Sequence, residues 1–190
     1  MRYQEALQAK RYFGSFTRNR GQSLAGYTNT MAAGITAGST VWSTRYPASA
    51  TGLGFLKWMH LHFICLANFT LPVTAGRRLA LKRGSGGDAS GGTALDVMLD
   101  QSTSTETLWT GQVATTTGLT VTGVTYETAA RRRLMLSHTG AANADYDELW
   151  TFDDPLVAQP GQSFAIVAPS TFDAAGTWQL SVSAGVFELS

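Results

Sequence analysis

Charge is the first thing this chain has little of. Asp, Glu, Lys and Arg make up only 14% of its 190 residues, against roughly 25% in ordinary soluble domains. A surface partly hidden in an assembly suits such a balance better than a fully solvated one. Cysteine is almost missing too: Cys65 stands alone, which excludes an intrachain disulfide and, among apolar neighbours, reads as a buried thiol. No apolar run reaches the ~18 to 20 residues of a membrane span, and the first 25 residues hold no apolar core bounded by a cleavage site. Neither a membrane partner nor export by a signal peptide is expected.

What charge there is lies unevenly. Residues 1 to 20 carry Arg2, Lys10, Arg11, Arg18 and Arg20 against Glu5 alone, a net charge of +4, while the remaining nine basic and twelve acidic residues leave the body at −3. A basic leader therefore precedes a slightly acidic body.

The segment that organises the chain is Gly54 to Arg83. Lys57, Met59, Leu61, Phe63 and Cys65 alternate with Trp58, His60, His62, Ile64 and Leu66, and the aromatic and branched content favours a strand. Neither set is purely polar, so a central strand with both faces at least partly covered is expected. After a turn over Pro72 to Gly76, Leu79 and Leu81 oppose Arg78, Ala80 and Lys82 in a second strand.

Residues 1 to 38 have another texture. MRYQEALQAKRYF can form about three helical turns with a weak stripe. Beyond it, Gly, Ser, Thr and Asn surround isolated Phe16, Leu24, Tyr27, Met31 and Ile35, a composition for an extended arm that orders against another subunit. Arg2, Tyr3, Leu7, Lys10, Arg11, Phe13, Phe16, Arg18, Arg20 and Tyr27 are its candidate partner-binding residues.

From Thr40 onward strands follow at spacings of about 8 to 14 residues. VWSTRY, the long run, RRLALKR, ETLWTGQV, LTVTGVTYET, RRRLMLSHT, DELWTF, SFAIV and GTWQLSVS all carry strand signals; TALDVMLD reads as a short strand or one helical turn. GSGGDASGG, with five glycines in 84–92, reads as a mobile connection, not a phosphate cradle, since no Lys-Ser/Thr ending follows. The expected fold is all-β, an antiparallel sandwich of the jelly-roll type with about eight to ten strands over residues 39–190, after an arm at 1–38. A single-sheet barrel is the alternative.

Candidate chemistry is thin. His60 and His62 share one face of a strand and could present two nitrogens to a metal, but no third ligand is near in sequence, so a core or interface pair is expected. Asn143, Asp145, Asp147 and Asp154 echo an oxygen-rich calcium loop; Glu148 stands where the sharp turn needs Gly, and a solvated acidic turn is the plainer reading. Ser137 and His138 are adjacent on a strand and so point apart, and no G-x-S-x-G elbow occurs. Arg131, Arg132 and Arg133 form the densest basic run, without the interleaved aromatics or basic body of a nucleic-acid binder. Trp42, Trp58, Trp109, Trp150 and Trp178 could stack on sugar, though strand tryptophans are more often core. No catalytic residue, metal site or cofactor is assigned.

Two stretches carry a resemblance, FTLPVTAGRRLALKRGSG with its trailing GGTAL, and LWTFDDPLVAQPGQSFAIVAPSTFDAAGTWQLSVSAGVFEL. Over roughly residues 40 to 190 the chain resembles virion proteins of tailed bacteriophages with a jelly-roll or tumour-necrosis-factor-like β-sandwich. That resemblance implies a non-enzymatic, homo-oligomeric, often trimeric component of the virion, made in the host cytoplasm. It points to a capsid decoration or cement protein with the major capsid protein or other virion subunits as partners. A neck, collar, tail or baseplate component, or a host-glycan-binding virion module, is the alternative.

Overall fold

The computed structural model of the protein describes residues 21–28, 30–32, 35–66, 77–99, 109–136, 145–171 and 176–189. Among these, thirteen strands form and no helix: β1 (Gly21–Tyr27), β2 (Met31–Ala32), β3 (Thr40–Arg45), β4 (Leu53–Cys65), β5 (Arg77–Ser90), β6 (Thr93–Ala94), β7 (Asp96–Leu99), β8 (Thr110–Val113), β9 (Thr120–Tyr126), β10 (Arg132–Leu136), β11 (Asp145–Ala158), β12 (Ser163–Val167) and β13 (Thr177–Leu189). The count exceeds the expected eight to ten because β2 and β6 are two residues long and because β9 and β10 are one run, interrupted at Glu127 to Arg131, along a single edge of β5.

The strands lie in two sheets. The front sheet has the order β11-β4-β13-β1-β7, with β2 also on β13; the back sheet has β10-β5-β12-β3-β8-β6, with β9 on β5. Every pairing is antiparallel. Consecutive strands alternate between sheets from β3 to β5 and again from β10 to β13, and the first and last strands lie side by side. This is jelly-roll connectivity, in which the chain closes its own sandwich.

Alternation decides which side chains fill the core. Met59, Leu61, Phe63 and Cys65 of β4, with Trp178, Leu180, Val182 and Ala184 of β13, are all essentially fully buried, as are Leu79, Leu81, Leu134, Leu136, Phe164 and Ile166 from the back sheet. Each such large aliphatic or aromatic side chain contributes about 1.5–3 kcal/mol of transfer free energy. Lys57, which alternation groups with Met59, is exposed. The pairing explains it: Trp58 lies opposite Gly185 but Leu56 lies opposite Val186, so Lys57 is an extra residue that reverses the phase of β4.

Two sequence expectations are corrected. The arm does not run to residue 38: β1 pairs along its whole length with β13 and also with β7, and Leu24, Met31 and Ile35 are core residues. Apolar residues spaced along a strip cannot bury themselves, but the edge of β13 gives this strip a sheet to join. Residues from Gly21 onward thus belong to the sandwich, while residues 1–20, including the helical reading of MRYQEALQAKRYF, lie outside the described residues.

Nor is GSGGDASGG a free connection. β5 continues through it to Ser90, pairing Gly84 to Ser90 with Tyr126 to Thr120. Glycine is needed there because a side chain at Gly87 would run into the carbonyl of Thr122 and because Gly86 and Gly123 take φ of 106° and 71°.

A polar clamp ties the sheets together at the β9–β10 interruption. Arg83 donates from Nε to Glu127 Oε1 at 2.7 Å and from Nη1 to the Val157 carbonyl of β11 at 3.1 Å; Arg131 Nη2 donates to the same Glu127 oxygen at 2.6 Å. Burial pushes the Glu127 carboxyl up, but its hydrogen bonds to Arg131 and Arg83 and their charges outweigh that and hold it below its ordinary value.

Removing residues 1–20 is expected to leave a folded sandwich, whereas removing 1–38 strips out β1 and abolishes cooperative unfolding. Leu24→Ala in the full chain is expected to cost about 2–5 kcal/mol in denaturant titration. A depressed carboxyl stabilises the fold above its unfolded pKa, near 4.5, and that contribution is lost as pH falls through the folded value. Glu127→Gln should therefore lower the melting temperature at pH 7 and flatten its fall below about pH 4.5; parallel curves for the two proteins would contradict the clamp.

Candidate functional site

The most distinctive surface lies where the front sheet is irregular. Between the rungs Trp58–Thr151 and Leu56–Leu156, β4 carries one residue, Lys57, while β11 carries the four residues 152–155. Strands that accommodate unequal lengths must bend apart, and side chains are re-aimed at that point. An open depression of about 740 Å³ results, lined by Lys57, Trp58, His60, Leu149, Thr151, Phe152, Asp153 and Ser183.

Trp58 lies on one side of it in an unusual pose. A methyl group added at Gly185, directly opposite on β13, would fall 2.5 Å from Cε2 and 2.7 Å from Cδ1 of Trp58 and nearer still to Nε1 between them. Similar distances to three contiguous ring atoms place the glycine under the face of the indole, since an edge-on approach to Nε1 would leave its two neighbours much farther away. Glycine is therefore what lets the ring lie flat on the sheet. The other four tryptophans, Trp42, Trp109, Trp150 and Trp178, are at most 6% exposed; Trp58 is half-buried.

The rim is polar on two sides. His60 pairs through Nε2 with Asp147, and His62 with Asp145, each across the diagonal between β4 and β11. Trp150 Nε1 donates to Glu148 Oε2 at 2.9 Å, and the Arg132 guanidinium lies 5.8 Å from the centroid of the Phe152 ring. Across the outer face, register gives the rows Thr151–Trp58–Gly185–Ser23–Met98, Leu149–His60–Ser183–Ala25–Asp96 and Asp147–His62–Ser181–Tyr27. Large side chains on the β4–β11 flank thus face small ones on β13 and β1. On the far flank stand Tyr27, 69% exposed, and Met98, 60% exposed.

Of the candidate arm residues only Tyr27 is described, at the end of β1; the other nine lie outside the described residues. The histidines form the pair expected on one strand face, but the acidic partners missing from their own neighbourhood in sequence arrive from β11. Among the described residues no group of three or more His, Cys, Asp or Glu could hold a metal. Asp145 and Asp147 belong to a strand and not to a calcium loop or a turn, while Asn143, Ser137 and His138 fall outside the described residues. Arg131 and Arg132 are engaged by Glu127 and Phe152, and Arg133 is exposed. Cys65 is buried. The Trp58 platform could not be singled out among five tryptophans by residue type; its only signal was the glycine in GTWQLSVSAG, whose pairing with Trp58 requires the register.

Searches with family models and against curated proteins find no match to the chain.

Gly185→Ala puts a methyl group where the Trp58 ring lies. The expected outcome is a displaced indole, seen as a changed near-ultraviolet circular dichroism spectrum, with a loss of about 1–3 kcal/mol in denaturant titration.

Proposed function

We propose that this chain is a non-enzymatic structural subunit of a tailed-phage particle, a decoration or cement protein that works as a homo-oligomer, taken here as a trimer. The sequence stretches that resemble such virion proteins coincide with β5, β11, β12 and β13, strands that build both sheets of the jelly roll. Support for self-association comes from one observation. Tyr27 and Met98, two of the largest exposed apolar side chains, stand on neighbouring strands of the front sheet, on a flank whose other described outward residues are Ser23, Ala25 and Asp96. Exposed large apolar side chains on a flank that presents Asp96 as its charged residue suit burial against an identical surface of another copy. The leader, joined to β1 at Gly21, is assigned to acidic shell subunits, since residues 1 to 20 carry a net charge of +4 on a chain whose remainder stands at −3.

The alternative placement, in a neck, tail or baseplate ring, keeps the fold and the oligomer and differs in number. Decoration requires hundreds of copies per particle; a ring requires few.

Sedimentation analysis of the full chain is expected to give an oligomer that Tyr27→Lys with Met98→Lys converts to folded monomer, while Leu149→Lys on the other flank leaves it intact. An unchanged mass in the double variant would reject this interface. Quantitative mass spectrometry of purified particles is expected to find the chain at decoration stoichiometry, and particles without it would reject the virion assignment.

A further inference from the structure

The depression beside Trp58 has a composition that the structural role does not explain. Side chains that serve only to fill an interface tend to interdigitate, yet here an indole is laid flat on a glycine, so that one face is covered by the sheet and the other is turned outward. Around it stand groups of every hydrogen-bonding type: the Lys57 ammonium as donor, the Asp153 carboxylate as acceptor, and the Ser183 and Thr151 hydroxyls as both. The His60 imidazole is already oriented by Asp147. At about 740 Å³ the space falls within the range of roughly 300–1,000 Å³ typical of small-molecule sites.

A flat aromatic surface ringed by mixed donors and acceptors matches one class of ligand closely. A pyranose ring has an apolar face of axial C–H groups that stacks on an indole and an equatorial fringe of hydroxyls that each donate and accept. A nucleobase would also stack, but here the carboxylates Asp153 and Asp147 stand near the platform and would repel the phosphates attached to a nucleotide. An apolar peptide side chain would fill the space but leave Lys57, Asp153 and Ser183 without use.

We propose that this depression is a saccharide-binding site, with the outward face of Trp58 as stacking platform and Lys57, Asp153 and Ser183 as hydroxyl partners. The bulge in β4 and the longer one in β11 are then functional features: they bring Lys57 and Asp153 to the depression beside Trp58. The site occupies the β4–β11 flank and leaves the Tyr27–Met98 flank free, so it is independent of the interface and of the virion assignment.

The test is binding of the intact full-length chain to an array of oligosaccharides, followed by titration calorimetry with the best free sugar from that array. Saturable binding is expected. Trp58→Ala should weaken it by about tenfold or more, and Asp153→Ala, on an exposed bulge where folding is not at stake, should weaken it severalfold. Gly185→Ala should weaken it as well, by displacing the platform, whereas Tyr27→Lys should leave it unchanged. An array without any retained sugar would overturn the proposal, as would binding that survives both Trp58→Ala and Asp153→Ala. Either result would leave the oligomer and particle experiments to stand on their own outcomes.

Discussion

The phase of β4 against its two neighbours is the constraint on which the rest depends. This thirteen-residue strand is paired on one edge with β13 and on the other with β11, and because side chains alternate with a period of two, a one-residue slip would exchange its buried and exposed sets. One such slip is built in at Lys57. On one side of it Met59, Leu61, Phe63 and Cys65 face the core, and on the other Leu56 does. A strand with strict alternation would have to bury Lys57 or expose Leu56. The extra residue removes that conflict, and in doing so it leaves Trp58 on the outer face above Gly185.

From this follows a division of the front sheet. Its inner face is a continuous core, closed by Phe63 stacked on Trp178 at a ring separation of 5.0 Å. Its outer face is graded, with aromatic and ionisable residues on β4 and β11, small residues on β13 and β1, and isolated apolar side chains on the β1–β7 flank. The His60–Asp147 and His62–Asp145 pairs belong to the exposed part of this gradient, with side chains 42% and 35% exposed for the histidines. Pairs that wet contribute modestly to stability and serve mainly to fix side-chain direction. The low overall charge of the chain thus has a counterpart on the outer front face: acidic side chains cluster on β11, while β13 and β1 present Ser181, Ser183, Ser23 and Ala25 there.

How much of this was legible in the residues depended on range. Local alternation identified β4, β5 and β13 and their core sides, because period-two burial is written into each strand by itself. Strand spacing and the absence of interleaved helical patterns gave the sandwich. What sequence could not supply was partnership. Leu24 and Met31 looked stranded because the edge of β13 that receives them, at Ala184 and Trp178, lies far away in the chain. The glycines of 84–92 looked like a linker because the strand that needs their close approach, β9, is distant. His60 and His62 seemed without acidic company until β11 was placed beside them. The candidate binding site is the extreme case, since it exists only through two unequal bulges and the meeting of Trp58 with Gly185.

The most direct measurement of this account is photochemically induced nuclear polarisation with a flavin dye, which marks tryptophan rings whose faces are open to solvent. With the phase shift in β4, one of the five indoles is polarised in the native protein, and that signal vanishes in Trp58→Phe. Polarisation of any of the core tryptophans in place of Trp58, or of none, would contradict it.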